Sequence, residues 1–350
     1  MKIRRRLTHK NHRYLKKKFS LLGLDVGTKT IKMVHTIKDN NFRIMNWATV
    51  QTPSNALTQS SVYDAKELAQ SIAHCHKEFG FKEKKVSICL SHPLVITREY
   101  KFPVLEHDEI IENIKLEMSD FLASKLEDFQ LDYKIIGQWQ QDGYTAQRVL
   151  AVAAPKELLQ SYLLAAKEAG LKPMYIDISV NVCSKMINWL SNVDINPKDN
   201  VVCLLDIGYN TTNIIIFSEG TYYIDKVLKT GMGTFSFFDN KSPDMDNKKK
   251  CTMDDLADHG EINNIIAEIA SVFHYYDSRN YTLAVPKILI AGGGSSIDGL
   301  DRYINQQLDI ETKILTLSDF KFFINEPRDI PIGLYFKAIG TTIREDIKNA

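Results

Sequence analysis

The 350-residue chain sets 44 Lys or Arg against 43 Asp or Glu, with 44% apolar and 25% charged residues, a balance that excludes a disordered or fibrous protein. Its length exceeds one ordinary core, so about two domains are expected. No run approaches the ~18 apolar residues of a membrane span. No apolar signal segment heads the chain, and the five cysteines (75, 89, 183, 203, 251) show no zinc or disulfide spacing, so a reducing cytoplasm is expected.

In chain order, residues 1–18 hold nine Lys or Arg and no acid. Such a block is expected to be a solvated, flexible arm over 1–19, and the acidic remainder of the chain argues against nucleic acid as a partner. From residue 20, "SLLGLD", "TIKMVHTI" and "FRIMNWATV" predict a three-stranded meander. "DAKELAQSIAHCHKEFG" then predicts a helix closed by Gly80, and "KVSICLS" a buried strand. The second half repeats the order: meander "VVCLLD", "TNIIIFSEG", "TYYIDKVLKTG", then helix "INNIIAEIASVFHYYDSR" and strand "KILIAG". This predicts a duplicated α/β architecture with strands covered on both faces. Between the halves of the first unit, "LVITREYKF", "EHDEIIENIKLEMSDFLASKL" and "FQLDYKIIG" predict a small inserted α+β subdomain at about 92–147. The polar stretch 239–261 is expected to be a long surface loop.

Two turns carry the chemistry. "LLGLDVGTKT" (21–30) and "VVCLLDIGYNTT" (201–212) each end a buried strand in Asp-x-Gly followed by hydroxyl residues. Turns of this kind aim backbone N–H groups and side-chain oxygens at one point, which suits a phosphate, and Gly27 and Gly208 permit close approach. Asp25 and Asp206 would repel a bare phosphate, so they are assigned a hydrated Mg²⁺, held through water. Thr28, Lys29, Asn210, Thr211 and Thr212 are assigned to phosphate contacts, Gly292, Gly293, Gly294 and Ser295 to the nucleoside side of the site, and Gly231 to nucleotide binding.

With these residues in place the chain resembles the actin, heat-shock chaperone and sugar-kinase superfamily: "GLDVGTKTIK" is similar to its first phosphate loop, "LLDIGYNTTNI" to its second and "ILIAGGGSSIDGL" to its adenosine motif. Over about 20–345 it resembles more closely the PilM family of type IV pilus assembly, with "LVITREYKFPVL", "DEIIENIKLEM" and "FQLDYKIIG" similar to that family's subdomain 1C. "AEIASVFHYYDSR" and "IPIGLYFKAIGTTIRE" match two further family segments. The resemblance implies an actin-like ATPase fold of two duplicated ribonuclease-H-like domains: domain I at 20–178 with the 1C-like insertion, domain II at 179–335, and a C-terminal helix at 336–350 returning towards domain I. It also implies ATP or ADP with Mg²⁺ in the cleft. Its partner would be the N-terminal cytoplasmic peptide of a PilN-like inner-membrane protein, held between subdomains 1A and 1C. Membrane association would then be indirect, at the cytoplasmic face of the inner membrane. A link to pilus motor ATPases and homo-oligomer formation are left open.

The chain departs from the family in two places. The polar loop 239–261 stands where an Ala-Glu-x-x-Lys-like helix is usual, and "FLASKLEDF" replaces a Pro-Phe step. No residue nominates itself to orient an attacking water, so no catalytic residue is assigned. Bound nucleotide is expected to act as a strut between the domains with slow or no hydrolysis, and weak ATPase activity is left open. A small-molecule kinase and an FtsA-like filament former are the alternative classes; the short polar ending "TTIREDIKNA" speaks against the amphipathic membrane helix of the latter. His74 and His76, two apart on one helix, are read as non-ligands; Glu106, Asp108, Glu109, Glu112 and Glu117 as a solvated face; and Trp47, Trp139 and Trp189 as packing residues.

Overall fold

A computed structural model describes residues 19–39, 41–54, 56, 64–122, 125–141, 143–190, 201–218, 220–235, 260–279, 285–320 and 330–344. The basic arm 1–18, nearly all of the polar loop expected at 239–261, and residues 345–350 lie outside them.

Strands β1 (Phe19–Val26), β2 (Thr30–Lys38) and β3 (Phe42–Gln51) form an antiparallel meander. Helix α1 (Ala65–Glu78) follows, its first turn capped by the Asp64 carboxylate, which accepts from the Lys66 and Glu67 N–H groups. Its buried residues Leu68, Ala69, Ile72 and Cys75 recur at helical spacing, so one stripe of the helix covers the sheet. Strand β4 (Lys85–Leu90) then returns parallel to β1. Both faces of β1 and β4 are covered, which is why they read as unbroken apolar runs.

The insertion comprises β5 (Ile96–Pro103), α2 (His107–Ser119), β6 (Phe129–Gln141) and β7 (Tyr144–Pro155). Its sheet has the order β5-β7-β6. The strand at 148–155, expected outside an insertion ending near 147, is thus the middle strand of the insertion's own sheet. Apolar periodicity marks a buried strand without saying which sheet it joins. Helix α2 starts with a reciprocal Glu106/Glu109 capping box and buries Ile110, Ile114 and Met118 against that sheet. Helix α3 (Lys156–Glu168) and β8 (Lys172–Ile178) lead back, and β8 completes the first five-stranded sheet, β3-β2-β1-β4-β8.

After α4 (Ser179–Ile187), the same pattern is rebuilt from β9 (Val201–Ile207), β10 (Thr212–Ser218), β11 (Thr221–Leu228), α5 (Gly260–Arg279), β12 (Lys287–Gly292), α6 (Leu300–Leu308) and β13 (Glu311–Ile314). The second sheet has the order β11-β10-β9-β12-β13, the counterpart of the first. On α5, Phe273 and Tyr276 are buried while His274 and Tyr275 face outward.

Helices α4 and α7 (Ile332–Gly340) lie between the two sheets. One apolar cluster runs through them, joining Val34 and Ile44 of the first sheet to Leu204, Ile215 and Leu289 of the second, with Met186, Phe336 and Ile339 between. Trp47 and Trp189 pack at its margin, as packing residues. Helix α7 begins at Ile332, ahead of the boundary expected at 336, and touches β1, β2 and β4 as well as β12. Its seat on β1 depends on Gly23, where an added Cβ would overlap the Ala338 carbonyl and approach the Thr342 methyl to 2.8 Å.

Candidate functional site

The two acidic hairpins are built alike. In the first, Gly27 N–H donates to Thr30 O at 3.0 Å; in the second, Gly208 N–H donates to Thr211 O at 2.8 Å. Each aspartate lies two residues before its glycine, and the residue seven further on is its cross-strand neighbour: Lys32 opposite Asp25, Asn213 opposite Asp206. The duplication therefore extends to the positions of individual side chains.

Neighbouring segments hold both turns. Thr52 Oγ1 donates to Gly27 O at 2.6 Å and its N–H to Lys29 O at 3.0 Å. In the second half, Met232 and Gly233 N–H groups donate to Gly208 O and Tyr209 O at 3.0 and 2.8 Å. Gly231 is needed there because a Cβ would stand 2.6 Å from Tyr209 O.

Asp25 and Asp206 open into one cavity of about 120 Å³. Its walls include Gly27, Thr28 and Lys29 from the first hairpin, Gly208, Asn210 and Thr211 from the second, and Gly292 and Gly293 from the end of β12. This volume is well under the ~300–1,000 Å³ of pockets that enclose drug-sized ligands; it has the scale of a phosphate cradle. Four residues assigned from sequence stand off the cavity wall. Thr212 is fully buried and its hydroxyl donates to Thr230 O at 2.8 Å. Gly231 lies behind the second hairpin, Gly294 packs on the Ile207 side chain, and Ser295 donates to Gly292 O at 2.6 Å.

The structure adds Lys32, Ser91, His92, Tyr209, Met232 and Lys337 to the wall. Lys337 has a legible sign in the sequence: it is the single charge of α7, and every other residue of that helix is buried. Its Nζ stands 3.0 Å from Asp206 Oδ2, and Lys32 Nζ stands 3.7 Å from Asp25 Oδ2. Both carboxylates are 2% exposed. Burial works against the charge of Asp206, but the Lys337 ammonium, the Asn213 amide and Lys32 outweigh it and hold the carboxyl below its ordinary range. Burial likewise opposes the charge of Lys337, yet Asp206 and Asp25 hold its pKa well above the ordinary value. For Lys32 burial prevails over the attraction of Asp25 and lowers its pKa.

A divalent ion shared by the two acids fits this arrangement poorly. Asp206 Oδ2 is engaged by Lys337 and by Asn213 Nδ2 at 3.2 Å, and Asp206 Oδ1 lies where a Cβ on Gly292 would meet it at 2.6 Å. Asp25 Oδ1 is buried without a hydrogen-bond partner and is an open acceptor towards a ligand. Among the described residues no cluster of three His, Cys, Asp or Glu could hold a metal, His74 is exposed, and His76 reaches Glu83 O at 2.8 Å. The described cysteines 75, 89, 183 and 203 are all buried and free.

A second feature lies at the β8 edge of the first sheet. Strand β8 is the edge of the first sheet and β6 the edge of the insertion's sheet. Both edges line a groove of about 400 Å³ that contains Tyr133, Val152, Ile176, Asp177 and Arg344.

Two five-stranded sheets of one order, hairpins facing across a cleft, and helices between the sheets define a protein of the actin-like ATPase fold. A family model described as type IV pilus assembly protein PilM matches residues 23–329, and the chain belongs to that family. A solved chain of a PilM-PilN type IV pilus biogenesis complex is similar at 21% identity and TM-score 0.76, over 92% of this chain and 97% of that one. The ethanolamine utilization protein EutJ from Carboxydothermus hydrogenoformans is similar at 11% identity and TM-score 0.50, over 93% and 89%.

Proposed function

We propose that this protein is a nucleotide-binding scaffold of type IV pilus assembly that captures the N-terminal cytoplasmic peptide of a PilN-like inner-membrane protein. The observation that carries the reading is the groove between the β6 and β8 edges. Strand edges present unpaired N–H and C=O groups, and an extended peptide laid between two of them gains main-chain hydrogen bonds while alternate side chains reach the apolar residues Val152 and Ile176 of the lining. The likeness to a chain solved within a PilM-PilN complex supports the choice of partner. No helix among the described residues is long and apolar enough to cross a membrane, so attachment through such a partner at the cytoplasmic face of the inner membrane accords with the reading.

In the cleft, ATP or ADP acts as a structural ligand. Thr28, Lys29, Asn210 and Thr211 with the turn N–H groups receive the phosphates, and contact with both hairpins stabilises the closed arrangement by linkage. Slow or absent hydrolysis is the reading for turnover: Asp206 is committed to Lys337 and Asn213, so this acid is poorly placed to draw a proton from water. Contacts with motor ATPases and self-association form no part of the proposal.

The test is titration of a fluorescent peptide from the N-terminus of the cognate PilN-like protein into the protein and into Val152→Arg, which puts a charge on the groove floor. Saturable binding that the variant loses by more than about tenfold (1.4 kcal/mol) with an unchanged melting temperature is the expected result. Equal binding by both proteins, or by neither, overturns the reading.

A further inference from the structure

The pair of acids at the cleft floor makes sense beside an anionic ligand only if a cation lies with them, and the chain supplies that cation itself. Lys337 Nζ is 3.0 Å from Asp206 Oδ2, on a side chain 14% exposed, and Lys32 Nζ is 3.7 Å from Asp25 Oδ2, on a side chain 10% exposed. Two buried carboxylates therefore face two buried ammonium groups. In the ligand-free cleft, inserting a divalent ion among them would add two positive charges to a buried set that is already balanced, where charge–charge repulsion is felt strongly. Magnesium gives up its waters reluctantly and demands a near-octahedral ligand set, whereas an ammonium on a flexible stem offers three rotatable donors and imposes no fixed coordination geometry.

Position supports the same conclusion. The duplicated hairpins supply a cross-strand cation only in the first half, where Lys32 stands opposite Asp25; the second half has neutral Asn213 opposite Asp206. The missing charge arrives from elsewhere in the chain, on a helix otherwise made of buried residues and seated between the sheets. A lysine placed in so apolar a helix has no solvated surface to serve, and its head group ends at the acid that lacks a countercharge.

We propose that Lys337 is the resident counter-cation of the cleft: with Lys32 it takes the place of a divalent ion between Asp25 and Asp206, so that the phosphate cradle receives its anion without a metal shared by the two acids. The identity of that anion as a nucleotide rests on the reading in the preceding subsection; the exclusion of the metal does not. Lys337 is thus a positioning residue that sets the ion requirement of the site.

The experiment has two arms. In the first, Mn²⁺ is titrated into nucleotide-free full-length protein and followed by electron paramagnetic resonance. The wild type is expected to show no site that Asp206→Asn removes, and Lys337→Met to gain one Mn²⁺ site that a second change, Asp206→Asn, abolishes. An Asp206-dependent Mn²⁺ site in the wild type overturns the proposal, as does a folded Lys337→Met protein that gains none. If Lys337→Met fails to fold by circular dichroism, the wild type and Lys337→Arg, expected to exclude Mn²⁺ alike, decide the question. In the second arm, ATP affinity is compared in Mg²⁺ and in EDTA. The wild type is expected to lose less than about tenfold without metal and Lys337→Met more. A wild-type loss beyond tenfold counts against the proposal, while failure to bind ATP in either buffer sinks the nucleotide reading and leaves the Mn²⁺ arm to judge Lys337.

Discussion

The ammonium of Lys29 stands 5.1 Å from the centre of the Tyr209 ring. Lys29 belongs to the first hairpin and Tyr209 to the second, so this cation–π contact joins the two halves at the mouth of the phosphate cradle. A contact of this type at a partly exposed site contributes about 0.5–1 kcal/mol. A double-mutant cycle of Lys29→Ala and Tyr209→Ala, followed by urea unfolding, is expected to return a coupling of about that size. If the cradle binds polyphosphate through Lys29, saturating ATP is expected to lower the coupling, because the ammonium then has a stronger partner.

Gly292 ends β12 with φ 76°, and an added Cβ would meet Asp206 Oδ1 and Ile207 O at 2.6 Å. Gly292→Ala therefore combines a backbone conformation that favours glycine with a clash against the very carboxylate that Lys337 holds. The expected loss of stability is about 1–3 kcal/mol, read as a lower urea midpoint with an unchanged slope. Gly143, which also has positive φ but meets nothing within 4 Å, is the control: Gly143→Ala is expected to cost less.

These two relationships mark what the residues alone disclose and what they do not. Asp25 and Asp206 were legible because each ends an unbroken apolar run and opens a turn of the same spacing. The two sheets were legible for the same reason, since their middle strands are buried on both faces. Thr212 follows Asn210 and Thr211 and so reads as a phosphate contact, but β10 begins there and strand alternation turns its hydroxyl to Thr230 O. Gly294 and Ser295 curl into a 3-10 turn whose side faces Ile207 and Gly292 rather than the cavity. The sequence marks Lys337 as a lone charge and 148–155 as a strand, but the partners that give them meaning, Asp206 for the one and β5 and β6 for the other, lie remote in the chain. Local periodicity carries no information about such partners.

The charge network at the cleft floor has a consequence in acid. The folded-state pKa of Asp206 lies below its ordinary value, where Lys337 and Asn213 hold it against burial. Its contribution to stability is therefore present above the unfolded carboxylate pKa of ~3.9 and is lost as pH falls through the lower folded value. Asp206→Asn removes that contribution and strands Lys337 as a buried unpaired charge, costing about 3–5 kcal/mol near neutral pH. The stability gap between wild type and variant, measured by urea unfolding across the pH scale, is expected to be widest near neutrality and to narrow below pH ~4. A gap that stays constant through that window would show that Asp206 is not held charged by its neighbours.

A buried polar network ties the groove to the core. Lys185 Nζ on α4 donates to Asp177 Oδ2 on β8 at 2.6 Å and to Ile343 O at 2.8 Å, while Asn181 donates to Asp177 Oδ1 at 2.8 Å and accepts from Lys134 of β6 at 3.1 Å. A polar network thus links β6 to β8 along the groove through Asn181, and within it the Lys185–Asp177 ion pair is 3% and 8% exposed. Burial lowers the Lys185 pKa against the pull of Asp177, so keeping this lysine charged has a cost that its partners offset. Removing one partner and removing both are then different experiments. Lys185→Met leaves the Asp177 carboxylate buried without its ammonium, and a loss of about 3–5 kcal/mol is expected. Lys185→Met with Asp177→Leu deletes both charges at similar volume, and much of the stability is expected to return, since an apolar pair avoids the desolvation that the ion pair bears. Peptide affinity separates structure from recognition: if the network also fixes the spacing of the β6 and β8 edges, the double variant regains its urea midpoint yet binds the PilN-like peptide more weakly than wild type. Recovery of both together would assign the network to stability alone.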